Sequence, residues 1–541
     1  MGMSNSDPTH CPHFSTFLDA KVTQSLFISP TTKYEVMDII NNMKVSDSCG
    51  HDDINPRVIK EVSEYICEPL SFIFNLTFIL GIIPDSLKIA KIIPIYKKDD
   101  VHAINNYRPI SILPVFSKIL EKVMYKRLYS FLCKHNILND NQFGFRKGYS
   151  VDLALTKLVD SVCDAFNQKE NCLGIFIDLS KAFDSLDHVI LLNKLYNYGV
   201  RGIALQWFKD YLNHRKHFTL FQSCHSDLLT IHSGVPQGSI LGPLLFLIYI
   251  NDITNASAIF KYFLYADDTN LLASHNDLRK LYEIVNDELK NISFWFSANK
   301  LSVNTDKTKY MLFQTGNPTQ TQTTEIKMNS STLEEVHCVK FLGVLVDNKL
   351  SWKDHVTYIT IKLSRGVGII NKLFHVLPSN ILLMLYNTLI LPYLNYCIIV
   401  WGRANISTLA PLIVLQKRAI RLCTQSNFCA HTPPLFKKTK SLCFQDLHSM
   451  FLAMFMYNYT HNLLPPSFSH FFKVNSDFHG YCTRKQEHFR PPLSRLAVTE
   501  SNSVKVHGST LWNSLPNTLK NCPSLYSFKK MFKKEKLLLY K

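Results

Sequence analysis

Acid is what this chain has too little of. In 541 residues, 42 Asp and Glu stand against 59 Lys and Arg, a net charge of +17 with a pI near 9.1. An excess of that size points to a polyanionic partner, nucleic acid before an anionic membrane. It is also uneven, since residues 481–541 carry 12 Lys and Arg against 3 Glu. The 14 cysteines include no Cys-x-x-Cys pair, a pattern of reduced, mostly buried thiols and an intracellular home. Cys423, Cys429, His431 and Cys443 gather loosely but lack the spacing of a standard zinc module, so core or surface thiols are the default. There is no basic-then-apolar leader at the N-terminus and no internal repeat. Long apolar runs are missing apart from residues 373–402, which contain no charge. Pro378, Asn380, Asn387, Pro392 and Asn395 interrupt that run, so two helices packed inside the fold read better than a membrane span.

What is present is core material. Apolar residues make up 46% and aromatics 12%, enough for packed cores and incompatible with a disordered tail or a fibre. The length suggests roughly three or four domains. Residues 1–30 are polar and aperiodic, within a polar N-terminal segment over 1–50. Ile59, Val62, Ile66, Leu70 and Ile73 recur at helical spacing and predict a helix over 56–80, with Pro56 in its first turn and Gly81 ending it. A short strand is expected over 92–96, and helices over 115–134 and 151–167. Between those helices, residues 142–148 (QFGFRKG) read as a basic, glycine-punctuated loop. Residues 172–178 read as a buried strand ending on Asp178, followed by a helix over 188–198. Residues 260–273 alternate around Ala266-Asp267-Asp268 as a hairpin. Further strands are expected at 309–313 and 340–346, then mostly helix from 352 to 460, then a basic, aromatic tail.

Asp178 at a strand end and Asp267 with Asp268 at a hairpin tip converge if those elements share a sheet. Carboxylates that close repel unless a divalent cation neutralises them. Mg²⁺ suits such a place, because it keeps water and takes few carboxylates together with substrate phosphates. Two such ions would activate an attacking hydroxyl and stabilise a leaving pyrophosphate. The bland alternative is three turn or cap residues, and an Asp-Asp pair in a turn is weak evidence by itself.

The surroundings decide. Residues 265–268 (YADD), 176–188 (FIDLSKAFDSLDH) and 233–243 (SGVPQGSILGP) resemble reverse transcriptases. Residues 107–123 (YRPISILPVFSKILEKV), 142–150 (QFGFRKGYS), 300–313 (KLSVNTDKTKYMLF) and 341–352 (FLGVLVDNKLSW) are similar to the non-LTR (LINE-type) retrotransposon branch, in particular its jockey-like elements. The likeness runs from about residue 50 to the C-terminus. It implies an α+β right-hand polymerase with a small antiparallel palm sheet. Fingers and palm would span 51–350, a helical thumb 351–440 and a basic C-terminal region 441–541. It implies RNA-directed DNA polymerisation from a primer, using dNTPs and two Mg²⁺, with Mn²⁺ as a substitute.

By the same resemblance Asp178 and Asp267 are the principal metal ligands. Asp268 is auxiliary, and Leu179 contributes only its backbone carbonyl. Asp184 and Asp187 read instead as helix-start residues. Phe183 would lie under the sugar and select deoxynucleotides, whereas RNA-copying RNA polymerases usually place a polar group there. Lys97 or Lys98, with Arg108, would close on the triphosphate. Arg146 would contact the template, and Gln237 would touch the templating base pair. Gly234 and Gly238 would let the backbone approach the substrates. Lys307, or alternatively Lys309, would give a proton to pyrophosphate. Residues 341–343 (Phe341, Leu342, Gly343) resemble a primer grip. Tyr393, Tyr396, Trp401 and residues 416–421 would suit a thumb on a duplex backbone. In the tail, Tyr481, Arg484, Arg490, Trp512 and Phe528 fit nucleic-acid stacking and a small core equally. Lys529, Lys530, Lys533, Lys534 and Lys536 suit a nuclear address, which with the cysteine pattern suggests cytoplasm and nucleus.

Elements of this branch usually carry an endonuclease, for which the sequence offers neither the length before residue 50 nor the zinc and acidic cluster behind. Polymerisation without nicking is therefore the expectation, with the endonuclease supplied separately or missing. The competing readings are a co-opted, inactive RNA-binding relic, a group II intron maturase and a telomerase. Intact Asp178, Asp267 and Asp268 argue against the relic, and the tail does not suit a maturase.

Overall fold

The structure is a computed structural model that describes residues 13–45, 47–314, 325–329, 331–477 and 487–540. It is a mixed α+β chain organised around one five-stranded sheet. In spatial order the strands are Glu334–Glu335, Lys309–Phe313, Asn171–Ile177, Asp268–His275 and Lys261–Tyr265. The central strand Asn171–Ile177 is antiparallel to both neighbours. Its alternating side chains feed two cores, Leu173, Ile175 and Ile177 on one face, Cys172 and Phe176 on the other. A strand buried on both faces reads as a continuous apolar run, and that is how residues 172–178 appear in the sequence.

The helices behind the first face are amphipathic in the ordinary way. Leu281, Val285, Leu289, Ile292 and Phe296 of helix Leu278–Ala298 recur every three or four residues and are buried. Asp277 caps its start by accepting from the Lys280 N–H. Helix Val115–Lys134 follows the expected boundaries, as does Val151–Asn167. A second sheet pairs strand Ile89–Tyr96 antiparallel with Tyr107–Ile112 and parallel with Lys216–Phe221.

Several expectations change. The helix over 56–80 is two, Pro56–Glu61 and Ser63–Leu80, broken at Val62, whose φ of −97° and ψ of 11° leave the helical well. Periodicity continues across the break because both pieces bury apolar residues on the same core. Residues 340–346 form a hairpin, Cys338–Phe341 and Val344–Asp347. Within residues 373–402 lie three helices, Ser379–Leu389, Leu391–Asn395 and Ile398–Trp401. Among the described residues no helix is long and apolar enough to cross a membrane. The second core continues from Phe143 into the C-terminal region, where Trp512 (6% exposed) and Phe528 (0%) are core residues. That region is bolted down by polar contacts: the Trp352 indole donates to Asn502 at 2.6 Å, and Lys505 pairs with Asp160 and Asp164 at 3.4 and 2.8 Å. The twelve cysteines among the described residues are free thiols, and no three His, Cys, Asp or Glu there, Asp178, Asp267 and Asp268 included, already stand at metal-holding spacing without a cation to draw them in. Buried Cys423 donates to the Leu382 carbonyl.

Candidate active site

Register brings the carboxylates together. Ile177 pairs with Thr269, and Tyr265 pairs with Asp268 across the hairpin turn. One step further along the central strand, Asp178 stands at the level of Asp268, with Asp267 at the tip. The turn itself is unusual, because Ala266 holds a positive φ of 55° where such two-residue turns take glycine. A neighbouring loop holds it there. The Phe143 N–H donates to the Leu264 carbonyl at 2.7 Å, and the Leu264 N–H donates to the Asn141 carbonyl at 3.0 Å. Buried Gln142 then accepts from the Ala266 N–H at 3.0 Å and from the Gly144 N–H at 2.8 Å through one oxygen. Gly144 lies so close that a Cβ there would sit 2.4 Å from the Ala266 nitrogen. Gln142 and Gly144 were not singled out in the sequence, although both lie in the QFGFRKG stretch. A glycine two residues after a glutamine carries no recognisable signal until the hairpin is placed against it.

The site is short of positive charge. Burial raises the Asp267 carboxyl, and Asp178 raises it further, while Arg108 opposes both. Asp268 is still reached by solvent, yet it is pushed up to about 6, first by the protein packed around it, then by Asp267 and Asp178. Three crowded carboxylates with only Arg108 and Lys307 against them are suited to a hard divalent cation, and the lack of a complete protein cage suits one that keeps water and substrate oxygens. The Lys307 ammonium stands 3.7 Å from Asp178. Lys309 is occupied elsewhere, pairing with Glu334 and donating to the Asp306 carbonyl, so of the two lysines only Lys307 faces the carboxylates. Leu179 forms a bridge with Val303 in which the flanking groups do the bonding: Asn304 N–H to the Asp178 carbonyl at 2.8 Å, Ser180 N–H to the Ser302 carbonyl at 2.9 Å. In that pairing Leu179's own carbonyl points away from residues 302–304 and stays available.

Arg108 extends from strand Tyr107–Ile112, opposite Ile95, and is exposed. Lys97 and Lys98 follow the partner strand. Both are exposed, and Lys98 pairs with Asp99 at 3.6 Å. Phe183 is half-buried, stacked on Phe246 with ring centroids 4.8 Å apart and edge-on to Phe145 at 6.4 Å.

Loop 233–239 packs against the chain's own turn and strand. The Gln237 amide donates to both Asp184 oxygens at 3.0 Å, and its carbonyl accepts from the Ser111 N–H at 2.8 Å. Gln237 thus ties the Phe183 turn to the Arg108 strand. The glycines answer to the same packing. A Cβ on Gly234 would meet the Asp184 carbonyl oxygen at 2.6 Å, and one on Gly238 would meet the Ser111 oxygen at 2.4 Å. What approaches them closely is the chain's own backbone. Asp187 caps helix His188–Asn197 as expected, while Asp184 caps nothing and lies in the preceding turn.

Buried Glu121, also unflagged by sequence, supports this loop from beneath. It accepts from the Tyr211 hydroxyl at 2.7 Å and the Ile240 N–H at 2.6 Å, and burial pushes its carboxyl up against the pull of Arg215. It is the one acid of a helix that carries Lys118, Lys122, Lys126, Arg127 and Lys134, and nothing in that local pattern marks it as interior.

Arg146 is turned inward. Its guanidinium donates to the Asn139 carbonyl at 2.6 Å, pairs with Asp140 and lies over the Tyr149 ring, leaving the side chain 9% exposed. It shapes its loop, and the exposed cation there is Lys147. Phe341 is buried against Phe176, and the turn after it has positive φ at Leu342 (46°) and Gly343 (88°). The Tyr396 hydroxyl donates to the Leu342 carbonyl at 2.6 Å. Trp401 is buried core, whereas Tyr393 is 40% exposed. Lys417 and Arg418 are exposed, while Gln416 is buried and Arg421 donates to the Ala430 carbonyl. Arg490 is exposed; Tyr481 and Arg484 lie outside the described residues.

Residues 95–346, which hold Asp178, Asp267, Asp268, Arg108, Lys307, Phe183 and Gln237, match the family model for reverse transcriptase (RNA-dependent DNA polymerase). The part of the chain built around the Asp178–Asp267 sheet is thus similar to reverse-transcriptase domains. Relatives named for jockey and other non-LTR retrotransposons are similar to it over a longer stretch. The probable RNA-directed DNA polymerase from transposon BS of Drosophila melanogaster is 29% identical over 426 residues, 75% of this chain and 46% of the relative. The RNA-directed DNA polymerase from mobile element jockey of Drosophila melanogaster is 26% identical over 426 residues, with 76% and 46% covered. The probable RNA-directed DNA polymerase from transposon X-element of Drosophila melanogaster is 27% identical over 437 residues, with 78% and 47% covered. The chain thus spans about half the length of the curated relatives it matches.

Proposed function

We propose that this chain is an RNA-directed DNA polymerase of a non-LTR retrotransposon, extending a primer 3′-hydroxyl with dNTPs on an RNA template. The observation that carries the reading is the junction of Asp178, Asp267 and Asp268 on one sheet end, faced by Arg108 and Lys307. In this reading the five-stranded sheet is the palm, and the sheet bearing Arg108 belongs to the fingers. The helices after Trp352 form the thumb, within the boundaries 51–350 and 351–440, and residues 441–541 follow as the C-terminal region. Nicking of target DNA is left to a separate endonuclease.

Asp178, Asp267, Asp268 and the Leu179 carbonyl would hold two Mg²⁺, with Mn²⁺ able to replace them. When bound, those cations supply charge neutralisation and a more acidic primer hydroxyl. The chain's own groups do the rest. Arg108 offers a planar fork to the triphosphate, with Lys97 or Lys98 as a mobile charge beside it. The Phe183 ring, braced by Phe246, bounds the sugar and leaves no room for a 2′-hydroxyl. Gln237 fixes the distance between that ring and the Arg108 strand. As the primer hydroxyl gives its proton to water and its oxygen bonds to the α-phosphorus, the bond to pyrophosphate breaks and Lys307 gives its proton to the departing oxygen. The Leu342-Gly343 turn, held by Tyr396, positions the primer end.

Primer extension on poly(rA)–oligo(dT) with Mg²⁺ and dTTP tests this. The parent should extend, and Asp267→Ala should lose at least about 10³-fold, since one preorganised charge group at the reacting atoms is worth that order. An Asp267→Ala protein within tenfold of the parent would sink the assignment.

A further inference from the structure

The helix Leu525–Leu538 shows two faces of opposite character. On the inner one, Phe528 and Phe532 are buried, and Phe528 packs on Tyr457 with ring centroids 4.9 Å apart. Ser524 caps the start by accepting from the Ser527 N–H. The lysine cluster therefore belongs to a docked helix, and an extended address motif would require those two rings to leave the core.

At about 100° per residue, Lys529, Lys530, Lys533 and Lys534 fall within an outward arc of roughly 140°, with Tyr526 near its middle. Tyr526 is 76% exposed. Lys529, Lys530 and Lys534 are exposed and Lys533 is partly so. The helix's one acid, Glu535, lies on the opposite side of the wheel from Tyr526. Lys536, at the edge of the arc, pairs with Asp446 at 3.1 Å. Among the described residues none of the four outward lysines is in an ion pair. Lysines four apart on a helix repel, and the Lys533 ammonium is pushed down by partial burial and by Lys529.

The chain itself provides the contrast. Surface helix Leu278–Ala298 intersperses its cations with acids, pairing Arg279 with Glu283 at 3.2 Å and Lys290 with Asp287 at 2.8 Å. Solubility alone is met by that mixed pattern. Four uncompensated lysines around an open tyrosine make a strip that a phosphate backbone neutralises and an unpaired base can stack upon. Lys438, exposed in the last turn of the adjoining helix Thr432–Lys438, extends the positive surface. The elements packed against Leu525–Leu538 carry none of the site residues.

We propose that the outer face of this helix (Tyr526, Lys529, Lys530, Lys533 and Lys534) is a second nucleic-acid-binding surface, which holds a single strand by its phosphates and by stacking on Tyr526. It is separate from the Asp267 hairpin and does not depend on catalysis there. The chemistry is common to RNA and single-stranded DNA, so both are probes.

The test uses the full chain and fluorescence anisotropy with an unstructured 30-nucleotide RNA and the DNA of the same sequence, each over a salt series. In the variant with Lys529→Gln, Lys530→Gln, Lys533→Gln and Lys534→Gln, the slope of log affinity against log salt should fall by about 3, from roughly 0.7 per phosphate contact. Affinity at 100 mM salt should fall at least about tenfold for the preferred strand. Tyr526→Ala should cost about fivefold or more with the slope unchanged. The matching Lys→Arg set should bind like the parent. Extension of a short primed template by the Gln variant should stay within twofold of the parent, so a parent that binds but never extends would count against the polymerase and leave this surface standing. A slope unchanged with both probes overturns the proposal. So does a Lys→Arg set as weak as the Gln set, because the loss would then be one of folding.

Discussion

Two tight turns stand at the mouth of the proposed site, and they are held in different ways. The Ala266-Asp267 turn places a non-glycine residue at positive φ and crowds three carboxylates at its end. A whole loop pins it by backbone pairing and by one buried glutamine oxygen with two donors. The Leu342-Gly343 turn likewise holds a non-glycine residue, Leu342, at positive φ, but it carries no charge, and one exposed tyrosine hydroxyl ties it down. Backbone strain is common to the two turns, whereas like-charge repulsion favours opening the first alone. The heavier clamp is found where the opposing forces are larger, as expected if position at the carboxylates is worth more to function than position at the primer end.

After loss of Asp267 itself, the largest effect should come from breaking the first clamp. In Gly144→Ala the new Cβ has backbone, not a flexible side chain, 2.4 Å away, so loop or hairpin must move. A shift near 1 Å at reacting groups costs about 10²-fold, and single-turnover extension should fall by that order while RNA affinity holds. Gln142→Ala should fall less in rate but melt earlier. It strands two buried N–H donors, each worth about 1–3 kcal/mol. If Gly144→Ala extends within twofold of the parent, the loop is not a clamp and the comparison fails.

Removing the counter-charge gives a smaller, pH-dependent effect. Asp267 and Asp268 are both raised in the folded chain, Asp268 to about 6. The folded chain therefore binds more protons than the unfolded one between the ordinary carboxylate range and about pH 6, so stability falls as pH rises through that window and the penalty is fully present above it. Metal-free protein should accordingly melt higher at pH 5 than this pair alone allows at pH 7.5. Mg²⁺ should recover the difference at pH 7.5 and add little at pH 5, by about 2.7 kcal/mol at a hundred times its dissociation constant. Asp268→Asn should flatten the profile of the metal-free chain. A profile identical in parent and Asp268→Asn would show that the crowding is not felt.

The contrast between the turns also explains what sequence could reveal. Asp178, Asp267 and Asp268 could be placed near one another because one ends an apolar strand and the others sit at a hairpin tip, as the register bears out. It was the resemblance of the surrounding motifs that weighed them above plain turn residues. Helices Val115–Lys134 and Val151–Asn167 were legible because long periodic segments bury one stripe. The supports were not. Gln142, Glu121 and Gln237 are polar residues whose partners lie 124, 119 and 53 positions away, and a local pattern cannot tell a buried acceptor from a surface one. Gly234 and Gly238 were marked as close approaches to substrate, and their packing on Asp184 and Ser111 could not be seen, since spacing does not say which backbone comes near. Trp512 and Phe528 fitted stacking and a small core equally, because basic neighbours surround them, and burial, not composition, decides for the core.

The smallest effect belongs to the second turn. Tyr396→Phe deletes one partly exposed hydrogen bond, worth about 0.5–1.5 kcal/mol, and leaves the ring against Gly343, 3.3 Å from where a Cβ would stand. The Tyr396 phenol is pushed up to about 12, by burial first and then by Cys397 and Asp152, so it remains a donor at any workable assay pH. With the turn's own geometry favoured by glycine, the variant should keep its melting temperature within a few degrees and its single-turnover rate within twofold at saturating primer. What should move is the primer concentration needed to reach that rate, upward about threefold to tenfold, as a few tenths to just over one kcal/mol of positioning is lost. Gly144→Ala should do the reverse, lowering the rate with little change in that concentration. If Tyr396→Phe instead slows the saturated rate as much as Gly144→Ala, the two turns are one mechanical unit, and the distinction between a heavy clamp at the carboxylates and a light one at the primer end falls.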